Sequence, residues 1–218
     1  MTSHILFASR PIRVTAVGVV LAAALSLSGC NAGGDPNSGG KTSPASTATE
    51  SATPSATAKP TPTAAYKPAD ATGPAQNVPV PVLPEVAKTE TKEGLEAFVH
   101  HWYAVLSYAY ETGDAQGLER LSGPDCVFCA GLKDVVKEAW KEGRWISGGQ
   151  IQTPAITATL EPGTQPYAVI QVLQQTIEIR NPDGSLYQAP TAATNTGSRA
   201  GATYGATGWI VTDLGLIR

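Results

Sequence analysis

The stretch TKEGLEAFVHHWYAVLSYAYETGD, residues 91–114, decides the fold. Leu95, Phe98, Val99, Trp102, Val105, Leu106 and Ala109 recur at steps of three and four, which puts them on one face of a long helix. Thr91 is a residue type that caps helix N-termini, because its hydroxyl accepts from a free first-turn N–H. Gly113 follows the last turn as the left-handed residue that ends a helix, and Asp114 is placed to cap the next one. A helix with so wide an apolar face needs a second layer to cover it.

The chain downstream supplies that layer. A short helix carries Leu118 and Leu121 and ends at Ser122-Gly123-Pro124. Asp125 is the expected cap of a third helix, with Phe128, Leu132, Val135, Val136 and Ala139 inward and Gly143 at its end. Beyond Gly143 the apolar period changes from 3.6 to 2. Residues 151–160 read as an edge strand because of Pro154. Residues 167–180 read as one long strand, with Tyr167, Val169, Leu173, Ile177 and Ile179 on one parity. Asn181-Pro182-Asp183-Gly184 is a turn signal, and Leu186-Tyr187-Gln188 the start of a return strand. Residues 189–201 read as a loop or a poorly patterned strand tip. Residues 204–217 form the last strand, with Trp209 and Val211 on one side and Ile210, Leu214 and Leu216 on the other. Helices followed by an antiparallel meander predict an α+β fold with one sheet face laid on the first helix.

Upstream, the composition changes twice. Ten of the 17 prolines fall between Pro36 and Pro84, and all four tryptophans lie beyond residue 100. Residues 31–84 are rich in Ala, Thr, Ser, Gly and Pro, with Tyr66 as the one aromatic residue. Such a segment buries too little apolar surface to offset its ordering entropy, so it reads as a disordered spacer, or as a glycan-bearing stalk. Before it, Arg10 and Arg13 precede an uncharged apolar run that ends at Leu27-Ser28-Gly29-Cys30. The run is shorter than the ~20 residues of a membrane span and reads as a signal peptide. The expected organisation is a signal over 1–29, an anchor and tether over 30–84, and a folded domain over 85–218. Removing 1–29 takes away two arginines and no acid, so a formal charge of −3 becomes more negative. With no basic patch, nucleic acid is not an expected partner.

Leu27-Ser28-Gly29-Cys30 resembles the bacterial lipobox, which implies a lipid on Cys30 and a place on the extracytoplasmic face of the cell membrane. The helices and the meander ending in Gly208-Trp209-Ile210-Val211 resemble the cone of the nuclear-transport-factor-2-like superfamily. Leu83-Pro84-Glu85, Glu93-Gly94 through Phe98 and Trp102, Thr112-Gly113-Asp114 and Cys126-Val127-Phe128-Cys129 resemble an uncharacterised family of actinobacterial lipoproteins, a domain of unknown function. The resemblance covers roughly residues 81–218 and the lipobox. It implies a location and a fold, and no reaction.

Cys126 and Cys129 are the residues most open to a chemical reading. A CxxC at a helix start has thiols whose pKa the helix dipole lowers, which is the redox reading. No strand or Trp stands before the first cysteine as in a thioredoxin, and in an exported chain the pair reads as a structural disulfide. Two cysteines make half a zinc site, and the adjacent His100 and His101 diverge by about 100° around their helix, so no metal and no cofactor is expected. Trp102, Tyr103 and Asp213 are candidates for a pocket between helix and sheet. Tyr108, Glu178 and Arg180 carry side chains suited to acid–base or ionic roles, but no spacing picks a catalytic pair. The leading expectation is a non-catalytic domain that binds a protein or a small apolar ligand. A pocket enzyme of isomerase or cyclase type is the alternative, and a thiol–disulfide protein the third reading.

Overall fold

Helix α1 (Lys92–Thr112) is the spine of the domain. Thr91 caps it by accepting from Gly94 N at 3.0 Å, and Gly113 ends it at φ 77°. The computed structural model describes residues 64–217; the expected signal peptide, Cys30 and the tether up to residue 63 lie outside the described residues. All seven apolar positions of α1 are buried, and Tyr103 and Tyr110 are buried with them. Helix α2 (Gln116–Leu121) follows, with Gln116 N bonded to Asp114 Oδ1 at 2.9 Å, and then α3 (Val127–Ala139).

Six strands complete an α+β domain with three helices against antiparallel sheet. They are β1 (Trp145–Gly148), β2 (Ile151–Thr159), β3 (Tyr167–Gln174), β4 (Ile177–Arg180), β5 (Thr194–Gly205) and β6 (Gly208–Leu216). The main sheet has the order β2-β3-β5-β6, and β1 pairs with β4. The β1–β4 pair continues the β2–β3 pair past a bend: Gly149 N donates to Thr176 O and Gln175 N to Gln150 O, both at 2.9 Å. Gly148 and Gly149, at φ 78° and 76°, make that bend on one side.

Ala158, Ala168, Ala200 and Leu214 stand side by side across all four strands of the main sheet and are buried. The three alanines of this row leave room for the aromatic face of α1. This reverses the expected parity of β3. Ala168, Ile170 and Val172 face the core, while Val169 is exposed. The long strand over 167–180 is two strands, broken at Gln175 and Thr176. The expected return strand at Leu186 is a single bridge to Arg180. The stretch 189–201, expected as a loop or a poorly patterned strand tip, holds most of β5, a central strand paired on both sides. In β6 the register slips between the Gly201–Asp213 and Ala202–Val211 pairs. Thr212 is the extra residue, so Trp209, Val211 and Leu214 all reach the core.

Helix α3 is rotated from its expected setting. Cys129, Val136 and Ala139 are buried, whereas Val135 is 55 % exposed and Phe128 43 %. Its cap is Cys126, whose Sγ accepts from Cys129 N at 3.3 Å, in place of Asp125.

Residues 64–84, assigned by composition to a disordered tether, instead lie along the domain. Lys67 and Gln76 exchange backbone hydrogen bonds, which closes a small hairpin. Trp145 Nε1 donates to Asp70 O at 3.0 Å, Ser147 Oγ to Ala69 O at 3.3 Å, and Tyr66 OH to Glu111 at 2.7 Å. Two of these three donors, Trp145 and Ser147, lie outside the segment, so its own composition announces only Tyr66.

Candidate functional site

Where the alanine row ends, helix and sheet separate and leave a cavity of about 210 Å³. Its helical wall is Tyr103, Leu106 and Tyr110, one face of α1 at steps of three and four. Phe128 and Leu132 of α3 close one side. Every strand of the main sheet contributes: Ile151, Val172, Gln174, then Thr194, Thr196 and Ser198 of β5, then Leu214 and Leu216. The three β5 hydroxyls are two residues apart and so share the face that forms the floor.

No Asp, Glu, His, Lys or Arg is on this wall. Its polar groups are neutral. Tyr103 OH donates to Ser198 Oγ at 3.1 Å, and Ser198 Oγ donates to Gly215 O at 2.9 Å. Burial pushes the Tyr103 phenol up, with the Ser198 bond opposing. The Tyr110 phenol is pushed up to about 12, chiefly by burial and then by Tyr103 nearby. Both therefore stay protonated over the physiological range.

Of the three expected pocket residues, Tyr103 lines the cavity and the other two do not. Trp102 is in the core, edge-on to Tyr103 at 5.2 Å, with Nε1 donating to Ser122 Oγ at 3.0 Å. The Asp213 side chain is 69 % exposed and stands 4.0 Å from Arg199. Tyr110 and the β5 hydroxyls were not legible as site residues. The one available signal is that Tyr110 follows Tyr103 by seven residues, two turns on the same face.

Cys126 and Cys129 are joined in a disulfide and both are buried. No sulfur is presented to an incoming thiol, which fits a structural bridge that holds the start of α3. The two histidines diverge as expected. His100 Nδ1 lies 2.7 Å from Thr153 Oγ1, while His101 is buried beside a second cavity of about 250 Å³, with Tyr108, Asp114 and Arg120, under Val80 and Pro81. Burial, and then His100, hold the His101 imidazole below its ordinary range. Glu178 and Arg180 form a half-buried ion pair, and Arg180 also donates to Gly184 O at 2.8 Å, so the pair braces the turn after β4. Among the described residues no group of three His, Cys, Asp or Glu side chains stands together to hold a metal ion.

A comparison with curated proteins finds no match. Among solved structures, the chain is similar to the intermembrane-space region of the chloroplast protein ARC6, at 13 % identity and a TM-score of 0.43, over 59 % of this chain and 98 % of that one. A model for a family of unknown function, DUF6318, matches residues 64–215, the same stretch that forms the domain around the cavity, and the chain belongs to that family.

Proposed function

We propose that the chain is a lipid-anchored protein of the extracytoplasmic face of the cell membrane, whose domain binds a small apolar ligand without chemical change. The cavity wall carries this reading: aliphatic and aromatic side chains with a few neutral hydroxyls, open to solvent past Phe128 and Leu216. An engineered cavity of ~150 Å³ lined by aliphatic and aromatic side chains holds benzene. The volume here, about 210 Å³, therefore suits one ring with a short substituent. The helices and bent sheet are read as a cone of the nuclear-transport-factor-2-like kind. Leu27-Ser28-Gly29-Cys30 supports the anchor, and the Pro-rich chain between Cys30 and residue 64 supports a spacer that lifts the cavity off the lipid surface.

An isomerase or cyclase would need a base in this cavity. The titratable groups on the wall are Tyr103 and Tyr110, and a phenol held protonated takes no proton near neutral pH. That favours binding over catalysis.

The test is to isolate the protein from its native membrane and identify what leaves it on extraction. A single-ring or short-chain apolar compound, recovered from wild type and lost in Leu132→Trp with an unchanged circular dichroism spectrum, is the expected result. An empty wild-type protein would overturn the reading. The anchor is tested separately: labelled palmitate is expected on wild type and absent from Cys30→Ala.

A further inference from the structure

Tyr110 differs from the other polar groups of the cavity in one respect. It is only 3 % exposed, yet its hydroxyl has no hydrogen-bond partner among the described residues. It is not sealed off either. Among the described residues the partnerless buried side-chain atoms are the Nε atoms of Arg144 and Arg180, so the residual exposure of Tyr110 includes its hydroxyl. The rest of the residue is well held: its carbonyl accepts from Trp140 Nε1 at 3.1 Å, and its ring lies against the Gly149 bend. Tyr103, seven residues earlier, already gives its proton to Ser198. Of the two phenols on the wall, only Tyr110 has a proton left to donate.

We infer that the ligand is a neutral, single-ring-sized apolar molecule that presents one carbonyl or hydroxyl oxygen to the hydroxyl of Tyr110. The inference rests on the ligand-binding reading above and deepens it. Neutrality follows from the wall, which offers no counter-charge to an anion or a cation. The oxygen follows from the donor. In the open cavity this hydroxyl faces solvent; a hydrocarbon that displaces that water leaves the donor unpaired at a cost, whereas a ligand oxygen within reach replaces the water. The apolar body follows from Leu106, Leu132 and Val172 around it.

Acetophenone and α-methylstyrene test this directly, because they share a shape and differ by C=O against C=CH2. Each is titrated calorimetrically into the full chain in phospholipid nanodiscs, with empty nanodiscs as the blank, for wild type and Tyr110→Phe. The substitution removes a hydroxyl that bonds nothing among the described residues, and the hydrocarbon arm reports whether the cavity stays intact. Acetophenone is expected to lose about tenfold in affinity in Tyr110→Phe, while α-methylstyrene shifts less than about twofold. If acetophenone loses nothing, or both probes lose equally, this inference is overturned and the ligand-binding reading stands. If neither probe binds wild type, both are overturned.

Discussion

Tyr103 on α1 donates its hydroxyl to Ser198 on β5 across 3.1 Å, although the two are 95 residues apart in sequence. Ser198 in turn donates to the Gly215 carbonyl on β6, so a single hydroxyl ties the long helix to two neighbouring strands at the wall of the cavity. The two partners are not equivalent. Tyr103→Phe removes one donor and leaves Ser198 bonded to Gly215, which costs about 1 kcal/mol. Ser198→Ala leaves the Tyr103 phenol without its acceptor and takes one of two bonds from the Gly215 carbonyl, which keeps its ladder partner Arg199, and costs about 1 to 2 kcal/mol. Urea midpoints measure the order, and a Tyr103 variant less stable than the Ser198 variant would contradict the relay.

The N-terminal segment gives a second prediction. A chain starting at residue 85 lacks the Asp70 and Ala69 carbonyls that accept from Trp145 and Ser147, and it lacks Tyr66, the partner of Glu111. It also uncovers the α1 surface under Pro79 and Pro81. A chain starting at 64 is expected to melt several degrees higher, since each kcal/mol is worth about 2 to 4 °C for a domain of this size. Equal melting temperatures would show that the segment adds nothing to the domain.

What was readable in the sequence follows from how much side-chain volume each element contributes to the core. Helix α1 was legible because its large apolar residues recur at helical spacing for most of its length. Strand β5 was not, because its inward residues are Ser198, Ala200 and Ala202. Inward residues this small erase the alternation that signals a strand. On β3 Ala168 is inside and Val169 outside, so side-chain size pointed to the wrong face. The slip at Thr212 changes parity within β6, and no spacing rule anticipates it. For the site, Tyr103 was legible and Tyr110 was not. An unpartnered hydroxyl is a property of what surrounds it, and the sequence does not show the surroundings.

His101 makes stability depend on pH on the acid side of neutrality. Burial, and secondarily His100, lower its folded-state pKa below the ordinary 6.5. Between those two values the unfolded chain binds more protons than the folded one, so stability falls as pH drops below about 6.5 and is fully present above it. The carboxylates of Asp70, Glu138 and Asp183 are held below their ordinary range mainly by hydrogen bonds from Thr72, Lys141 and Ser185, so their contribution is lost at lower pH. Urea midpoints from pH 7.5 to pH 5 are expected to decline in wild type and to flatten in His101→Phe. An unchanged slope in the variant would assign the pH dependence to another group.

The disulfide between Cys126 and Cys129 closes a very short loop. In the chain-entropy account such a loop stabilises by about 2 kcal/mol, less than a long one would. Cys126→Ser with Cys129→Ser is therefore expected to lower the melting temperature by about 4 to 8 °C and to leave a folded protein. Because both sulfurs are buried, alkylation under reductant is expected only after denaturant is added. Rapid labelling of the native protein would instead support the thiol–disulfide reading.

The bend that carries the β2–β3 pair into the β1–β4 pair is held by two consecutive left-handed glycines. At Gly148 a Cβ would lie 2.2 Å from the Thr176 carbonyl oxygen, a backbone atom that cannot swing aside. Gly149 has Ile177 and the ring of Tyr110 within 3.4 Å of the same position, so the bend and the cavity wall share an edge. Gly148→Ala adds left-handed strain to a backbone clash and is expected to cost about 3 kcal/mol or more. Gly205, at the end of β5, has nothing within 4 Å of its Cβ position and no left-handed φ, so Gly205→Ala is expected to change stability by less than about 0.5 kcal/mol. Because the bend backs onto Tyr110, whatever of Gly148→Ala still folds is expected to lose acetophenone and α-methylstyrene alike. That pattern differs from Tyr110→Phe, which spares the hydrocarbon. A Gly148 variant as stable as the Gly205 variant would mean that the bend relaxes without these two glycines.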